Sequence, residues 1–434
     1  MIHPTEIPSL VIADDQGNIT DFSELQMCGS AAGEFVCPEL EDLIPLPEGS
    51  ELFTLPMRLP IGCDPATGEP LLLEEDPYAP GRAVQAVAAF MAPAYTSALS
   101  SAFQTSEGAP TLPLFAYTAV GWWNDQFWVP AFRSDLDIRQ DCNQYKQGTV
   151  QRRTKAVLQA NANNRLIQHL GKCCLTYGCP AARNYFLGRW EAPLPTSPEC
   201  NARCVGCISL QESGCCPSTQ DRIAFVPTPQ EISQLAVAHL DTAERAIVSF
   251  GQGCEGEPLL QAATIEQAIW LIRQKTDRGT INLNSNASLP DKVGKLAKAG
   301  LDSIRVSLNS VQEKHYLRYY RPKGYCFDDV KRSIEVMKDH GRFVSLNYFI
   351  LPGFTDSRNE FDTLCSFVER LKPDFIQLRN LNMDPEWYLE TIGFQPTEKA
   401  LGVRNWLNML KKECPTLRFG YFNPPLADGS IIAP

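Results

Sequence analysis

Three cysteines that lie close together in the sequence are the residues best suited to chemistry. Cys200, Cys204 and Cys207 form a C-x3-C-x2-C triplet. Thiolates at this spacing can bind three irons of a [4Fe–4S] cube and leave the fourth iron without a protein ligand. A cube with four cysteine ligands mainly transfers electrons, whereas an open iron can bind a cofactor or a substrate. The triplet therefore predicts a reactive iron–sulfur site.

The same triplet also allows a structural zinc site, which needs a fourth ligand. Cys215 or Cys216 can supply that ligand. The chain has 16 cysteines and only five histidines, so thiolates must provide most of any metal binding, and this favours iron–sulfur or zinc. Because we expect a cytoplasmic protein, so many cysteines indicate metal or redox chemistry rather than disulfides.

Composition and charge restrict the class of protein. The chain has 434 residues, of which 44% are hydrophobic, and this length predicts two or three domains with a large core. Its net charge of −11 disfavours a broad basic surface for nucleic acid. No segment is long and apolar enough to cross a bilayer, and the N-terminus lacks the pattern of a signal peptide. These properties predict a cytoplasmic protein without a membrane partner.

The elements that must position the triplet fall into three parts. Residues 1–150 are rich in proline and aromatic residues and are expected to form an α+β accessory domain. In this domain the small residues of Ala83 to Ser101 predict a helix, and Asn124-Asp125 predicts a two-residue hairpin turn. A cysteine-containing linker is expected at residues 151–189, with one helix from Thr149 to Gly171.

Residues 190–434 alternate between predicted strands and helices. The predicted strands after the triplet are Ala246–Phe250, Thr280–Asn284, Ser303–Leu308, Phe343–Ile350 and Asp374–Leu378. Short connections of this kind build right-handed βαβ units on a parallel sheet. With one more strand before the triplet there are about six repeats, which predicts a partial (β/α)6 TIM-like barrel. Ligands bind at the carboxyl ends of such strands, where the triplet falls.

The triplet, together with Gly256-Glu257-Pro258 after the second strand, resembles the radical S-adenosylmethionine (SAM) superfamily over about residues 190 to 425. The resemblance implies a [4Fe–4S] cluster whose open iron binds SAM, and an electron donor such as flavodoxin or ferredoxin. It further implies an enzyme that cleaves SAM reductively to a 5′-deoxyadenosyl radical, which abstracts hydrogen from a small-molecule or peptide substrate. In such enzymes the cofactor supplies the radical chemistry, and the protein orients and encloses it.

The resemblance assigns roles to individual residues near the expected cluster. Gly256 and Glu257 match a backbone that holds the amino group of SAM, although Glu255 stands where relatives commonly have glycine. Gly206 matches a position whose backbone faces the adenine. Ser307, at the end of the fourth strand, matches a serine that contacts the carboxylate or ribose of SAM.

Polar residues on later elements complete the expected cofactor site. Arg318 matches an arginine that pairs with the SAM carboxylate, and Arg321 is the rival candidate. Gln377 and Arg379 lie where relatives place adenine or substrate contacts. His315 is expected to be a structural hydrogen-bonding residue rather than a proton shuttle, and its context with Arg318 resembles peptide-modifying relatives. No residue is assigned to the chemistry on the substrate itself.

The remaining cysteines near the triplet leave alternatives open. Five of them flank the start of the barrel and can bind an auxiliary cluster, form a redox-active pair or serve as buried or surface thiols: Cys173, Cys174, Cys179, Cys215 and Cys216. Cys254 is expected near the barrel mouth. The alternative to a radical enzyme is a non-catalytic iron–sulfur or zinc-binding protein on the same barrel.

Overall fold

The structure is a computed structural model that describes residues 3–211, 214, 216–427 and 429–431. In these ranges the first third of the chain forms antiparallel sheets, and the rest alternates between helices and parallel strands. Cys215, one of the cysteines considered for a metal site, lies outside the described residues. None of the helices in the described ranges is long and apolar enough to span a membrane.

The region before residue 147 is rich in strands. Its fourteen strands are β1 (Ser9–Ala13), β2 (Ile19–Met27), β3 (Gly29–Ala31), β4 (Glu34–Val36), β5 (Leu43–Pro45), β6 (Glu51–Leu55), β7 (Arg58–Cys63), β8 (Pro70–Leu72), β9 (Gln85–Phe90), β10 (Tyr95–Ser97), β11 (Ser100–Ser101), β12 (Phe103–Thr105), β13 (Gly121–Trp123) and β14 (Gln126–Arg133). The main sheet has the order β10-β14-β13-β1-β2-β7-β12. The described part of this region contains two short 3₁₀ turns and no α-helix.

The helix predicted for Ala83–Ser101 is wrong, because β9, β10 and β11 occupy this segment. One face of β9 packs Val87 and Ala89 into a buried cluster, and the other face packs Ala86 and Ala88 into a second cluster. A strand that is buried on both faces lacks the alternation of polar and apolar residues that marks a half-buried strand. The run of small residues was therefore open to a helical interpretation.

The predicted hairpin turn is confirmed. Asn124 and Asp125 connect the antiparallel strands β13 and β14, and their φ angles are 49° and 56°. Positive φ at both central residues is the geometry of a type I′ turn, which asparagine and aspartate tolerate well.

One pair of cysteines departs from the expectation of metal or redox chemistry. Cys37, which follows β4, and Cys63, which ends β7, form a disulfide. Their Cα atoms are 6.2 Å apart, which is within the range that a disulfide can bridge. The two residues are 26 positions apart in the sequence, so only the pairing of the strands brings them together.

Three helices connect the strand-rich region to the barrel: α1 (Gln147–Ala160), α2 (Arg165–Leu175) and α3 (Pro180–Leu187). The single helix predicted from Thr149 to Gly171 is therefore two helices. The break occurs because the side chain of Asn164 accepts a hydrogen bond from the backbone N–H of Ile167 (3.1 Å) and caps the start of α2. Leu166 on α2 is buried in the same cluster as the barrel core. The domain boundaries at residues 150 and 190 stay predictions.

Seven parallel strands then form one sheet in chain order, from β15 to β21. The strands are β15 (Glu191–Pro193), β16 (Ile247–Phe250), β17 (Thr280–Ser285), β18 (Ser303–Leu308), β19 (Phe343–Ile350), β20 (Phe375–Asn380) and β21 (Arg418–Gly420), followed by the hairpin β22 (Leu426–Ala427) and β23 (Ser430–Ile431). The helices are α4 (Pro229–Thr242), α5 (Ala262–Arg273), α6 (Pro290–Ala299), α7 (Glu313–Tyr320), α8 (Phe327–Asp339), α9 (Arg358–Leu371), α10 (Pro385–Ile392) and α11 (Val403–Glu413). The predicted α/β fold with a partial barrel is confirmed.

A polar residue connects the two ends of the open sheet. Asn423, just after β21, donates from Nδ2 to Oε1 of Glu191 on β15 (2.7 Å) and accepts from Nε2 of Gln377 on β20 (2.8 Å). All three side chains are buried. This network joins the first and sixth barrel strands across the interior, where the described strands form no backbone ladder between β15 and β21.

The strand-rich region packs over the carboxyl ends of β19 and β20. The side chain of Asn380, at the end of β20, accepts from the backbone N–H of Ser97 (3.0 Å) and donates to the carbonyl of Tyr95 (3.0 Å). Nearby, Arg58 forms a buried ion pair with Asp384, the N-cap of α10, at 3.1 Å. The accessory region therefore covers part of the edge at which barrel ligands bind.

Candidate functional site

The three cysteines lie in a loop that follows β15 and is fixed by backbone hydrogen bonds. Val205 N–H donates to the carbonyl of Tyr319 (3.0 Å), and Arg203 N–H donates to the carbonyl of Tyr320 (2.9 Å). Lys323 N–H donates to the carbonyl of Asn201 (2.8 Å). The cysteine loop therefore runs antiparallel to the segment that ends α7, and this ladder sets the direction of the thiols.

All three thiols are free and half-buried. Cys204 and Cys207 line a cavity of about 270 Å³ together with Arg222, Arg321 and other residues. Burial, and then the nearby charge of Glu257, raises the pKa of the Cys200 thiol to about 11. Burial raises the pKa of Cys204 as well. Metal binding at this loop must therefore displace thiol protons.

The spacing of the thiols distinguishes a cluster from a single ion. A tetrahedral zinc ion with Zn–S bonds of about 2.3 Å holds its sulfurs about 3.8 Å apart. Among the described residues, the triplet is not one of the groups whose ligand atoms all lie within 4.8 Å of one another. The irons of a cube occupy separate corners, so its cysteine ligands are spread more widely. The residues present thus fit a [4Fe–4S] cluster with three cysteine ligands better than a zinc ion.

Gly256 holds its backbone against the start of the cysteine loop. Its N–H donates to the carbonyl of Ser197 (2.7 Å), and Glu257 N–H donates to the carbonyl of Glu199 (2.8 Å). A Cβ atom at Gly256 would overlap the carbonyl oxygen of Glu199 and would lie 3.2 Å from the backbone nitrogen of Cys200. Only glycine allows this close approach of two backbones.

Glu255 is a buried carboxylate that joins the ends of two barrel strands. Its Oε2 accepts from the backbone N–H groups of Thr196 (2.7 Å) and Ser197 (2.9 Å), and its Oε1 accepts from those of Gly251 (2.7 Å) and Gln252 (2.8 Å). Burial raises its pKa to about 7, against the effect of the four donors. The sequence showed this residue only as a departure from the glycine of relatives, so its structural role was missed.

Glu257 uses its carboxylate within the fold. It accepts from the hydroxyl of Ser285 (2.6 Å) and from the backbone N–H groups of Asn286 (2.9 Å) and Leu259 (2.9 Å). Burial raises its pKa to about 7. Asn286 in turn donates to the side chain of Asn201 in the cysteine loop (2.8 Å). Glu257 therefore fixes the end of β17 beside the cysteine loop.

Gly206 lies in the cysteine loop, and Ser307 lies near the end of β18. A Cβ atom at Gly206 would lie 2.9 Å from the hydroxyl oxygen of Tyr319 and 3.1 Å from the sulfur of Met383. Ser307 is half-buried near the end of β18 and pairs in register with Asn347 of β19. Their roles towards a cofactor stay predictions.

The structure separates the two rival arginines. Arg318 is exposed and donates to the carbonyl of Ile392 at the end of α10 (3.0 Å). Arg321 lines the cavity that Cys204 and Cys207 also line. His315 is buried, and its Nδ1 contacts the same carbonyl of Ile392 (2.9 Å). Helix α10 was not predicted, so the hydrogen bond from Arg318 to the end of this helix could not be expected from the sequence.

Two arginines inside the barrel share one neutral acceptor. Arg305 on β18 and Arg379 on β20 each donate to Oε1 of Gln377 at 3.3 Å. The Nε atoms of both arginines are buried without a hydrogen-bond partner. Burial, and then the charge of Arg379, lowers the pKa of the Arg305 guanidinium to about 9. The guanidinium of Arg379 lies 3.8 Å from the ring centre of Tyr421. Arg305 was not among the predicted site residues.

The cysteines considered for an auxiliary cluster are not all brought together. The thiol of Cys174 is buried against the hydroxyl of Thr154 (3.4 Å). Cys173 instead lies beside His169 and Cys254. Cys179 follows α2, and its N–H donates to the carbonyl of Cys173 (3.1 Å). Cys216 is buried.

The fold and site define the class of protein. It is an α/β protein with a parallel half-barrel whose first strand leads into three free thiols, and a loop that requires glycine lies beside them. Residues 194–365 match the family model of the Radical SAM superfamily. A domain of this superfamily implies a [4Fe–4S] cluster and SAM as cofactors.

Two curated relatives match part of the chain. The mitochondrial GTP 3′,8-cyclase of Arabidopsis thaliana is 27% identical over 191 residues, which are 43% of this chain and 44% of that protein. The probable GTP 3′,8-cyclase of Methanopyrus kandleri is 32% identical over 151 residues, which are 34% of this chain and 45% of that protein. The chain thus spans less than half the length of each of these relatives.

Similar solved structures include SuiB of Streptococcus suis bound to its precursor peptide SuiA, with 13% identity and a TM-score of 0.38 over 59% of this chain and 53% of that chain. Methylornithine synthase has 13% identity and a TM-score of 0.38 over 61% of this chain and 73% of that chain. Likenesses of this size add nothing to the assignment of a substrate.

Proposed function

We propose that this protein is a radical SAM enzyme that acts on a small molecule with an anionic group. The observation that carries the enzyme assignment is the loop of three free thiols fixed against the Gly256 backbone at the carboxyl end of β15. A [4Fe–4S] cluster held there would supply the electron for reductive cleavage of SAM and thus the radical chemistry that removes hydrogen from the substrate. An electron donor such as flavodoxin or ferredoxin would reduce it.

The residues of the chain provide binding and enclosure. Cys200, Cys204 and Cys207 would hold the cluster, and the backbone at Gly256 and Glu257 would hold the amino group of SAM. Arg321 is the better placed arginine for the SAM carboxylate, because it lines the cavity of the thiols. The strand-rich region over the ends of β19 and β20 would exclude water from the radical.

The barrel interior favours an anionic substrate. Arg305 and Arg379 place two positive charges beside one neutral amide oxygen, and each leaves a buried N–H without a partner. Glu191 is acidic, but one of its oxygens already accepts from Asn423. A phosphate or carboxylate would satisfy the free donors and the excess charge. The relatives that are GTP 3′,8-cyclases act on such a molecule, so GTP is a suitable first probe.

A peptide substrate, the other expected class, has less support. The context of His315 and Arg318 resembles peptide-modifying relatives, but both side chains contact the carbonyl of Ile392. Neither residue is then placed to select a substrate in the barrel.

The enzyme assignment is tested by reconstituting the protein with iron and sulfide under anaerobic conditions and reducing it in the presence of SAM. We expect methionine and 5′-deoxyadenosine by mass spectrometry. Cys204→Ala should abolish both, whereas Cys365→Ala, on the outer helix α9, should not. A protein with a fully loaded cluster that forms no 5′-deoxyadenosine would contradict the proposal. A non-catalytic iron–sulfur or zinc protein would bind metal, but calorimetry would detect no binding of SAM.

The substrate class is tested separately by calorimetry of the cluster-loaded protein with GTP and with neutral guanosine. We expect GTP to bind better than guanosine. Arg305→Gln and Arg379→Gln should each weaken the affinity for GTP by about 10-fold or more, because a hydrogen bond to a charged group contributes about 1.5–3 kcal/mol. Arg358→Gln, at an exposed surface position, should have no effect. Equal affinity in all four proteins would refute an anion site in the barrel and leave the enzyme assignment intact.

A further inference from the structure

A second group of metal-ligand side chains lies away from the cysteine loop. His169 and Cys173 are on α2, and Cys254 is in the loop after β16. One ligand atom from each of the three residues lies within 4.8 Å of those of the other two. The distance from Cys173 Sγ to His169 Nε2 is 3.6 Å. The proposed radical chemistry uses none of these side chains.

Local structure explains why the three residues converge. His169 and Cys173 are four residues apart on a helix and therefore share one face. On the other side, the carbonyl of Cys254 accepts from the N–H of Ile223 (2.7 Å), and the next residue, Glu255, is fixed by its four backbone hydrogen bonds. Cys173 and Cys254 are only 1% and 5% exposed, so neither thiol is a surface group.

The spacing fits a single ion and not a cube. Thiolates on one zinc ion lie about 3.8 Å apart, and the three ligand atoms already lie within the 4.8 Å limit that the cysteine loop does not meet. Two thiolates and one imidazole are soft and borderline ligands that suit zinc better than calcium or magnesium. A water molecule can supply the fourth ligand.

We propose that His169, Cys173 and Cys254 bind a Zn²⁺ ion that joins α2 to the loop of the Gly-Glu-Pro motif. Binding replaces the two thiol protons, which pass to solvent, and changes no oxidation state. The ion holds Cys254 in place, and Cys254 leads directly into Glu255 and Gly256. The site therefore supports the loop that the cofactor requires, and its predicted effect is on stability and on the position of Gly256.

The test uses the full chain with Cys200→Ala, Cys204→Ala and Cys207→Ala, so that the cysteine loop cannot bind metal. We expect about one zinc per chain by mass spectrometry of the metals, and visible absorption typical of tetrahedral thiolate coordination when Co²⁺ replaces zinc. Adding Cys173→Ser, Cys254→Ser or His169→Gln should lower the zinc content to less than about a tenth. Cys365→Ser is the matched control, because Cys365 contacts Cys414 in a second pair of thiols that has no part in the proposed site.

Three results would overturn the proposal. The first is a folded background protein, judged by circular dichroism, that binds no zinc. The second is iron and sulfide at this site instead of zinc, which would make it an auxiliary cluster. The third is a Cys173–Cys254 disulfide in peptides digested without reduction. If Cys254→Ser does not fold, His169→Gln decides the matter, because His169 is half-buried and its loss leaves both thiols in place. None of these readouts depends on SAM cleavage.

Discussion

Gly256 offers the sharpest test of how the cysteine loop is positioned. In Gly256→Ala, the new methyl group would overlap the carbonyl oxygen of Glu199. Carbon and carbonyl oxygen atoms in contact lie about 3.3–3.6 Å apart, so the two backbones must separate by more than about 1 Å. That movement breaks the bonds from Gly256 N–H to Ser197 and from Glu257 N–H to Glu199. Each lost hydrogen bond costs about 0.5–1.5 kcal/mol, and overpacking costs about 1–3 kcal/mol. We therefore expect the free energy of unfolding to fall by about 2–6 kcal/mol.

The displacement also moves Cys200, which follows Glu199 directly. We therefore expect Gly256→Ala to bind much less iron and sulfide after anaerobic reconstitution and to have a lower Tm than the parent protein. Gly148→Ala is the matched control, because Gly148 is in helix α1 and its added Cβ would meet no atom within 4 Å. A Gly256→Ala protein with full cluster loading and an unchanged Tm would refute the close approach of these two backbones.

Two further predictions concern buried charges. Arg58→Met should lower the free energy of unfolding by about 3–5 kcal/mol, because it leaves Asp384 buried without its ion-pair partner. Chemical denaturation measures this loss, and a further Asp384→Asn change should recover part of it. A loss of under about 0.5 kcal/mol would show that the pair does not hold the accessory region to the barrel. Burial raises the pKa of Glu255 from 4.5 to about 7, so its contribution to stability is fully present below about pH 4.5 and is lost as the pH rises through about 7. Glu255→Gln should remove up to about 3 kcal/mol of this pH dependence of the free energy of unfolding, measured in urea. The similar contribution of Glu257 should remain. An identical pH dependence in the parent protein and in Glu255→Gln would argue against a neutral, buried Glu255.

The order of elements in the barrel could be predicted because each βαβ unit is local in sequence. Thr228 and Glu231 form the predicted capping box at the start of α4, and the predicted strands overlap β16 to β20. The accessory region was harder, because β9 is buried on both faces and its strand pairs are distant in sequence. Periodicity carries little information for such a strand.

The composition of the site was only partly accessible from the sequence. The cysteine triplet and the Gly-Glu-Pro motif that contains Gly256 are short runs of sequence, so both can be identified from the sequence alone. The choice between Arg318 and Arg321 depends on the end of α10 and on the left-handed conformation of Arg321 (φ 48°), which no local pattern shows. Arg305 precedes Ser307 by two residues on β18, so both side chains lie on the same face of the sheet. Only its hydrogen bond to Gln377, an acceptor that it shares with a second arginine, distinguishes Arg305 from an ordinary strand arginine.

The cysteine loop is held from three sides, and backbone groups make most of these contacts. The segment after α7 pairs with the loop, Gly256 packs against its start, and Asn286 reaches Asn201 within it. Substitutions of side chains around the cavity should therefore disturb the cysteine loop less than substitutions of Gly256 or Glu255. Glu255 matters because its carboxylate fixes the backbone next to Gly256. The proposed zinc ion at Cys254 would act on the same short segment as Glu255 and Gly256. Loss of that ion should then lower cluster loading without removing any cluster ligand, and this separates a supporting role from a direct one.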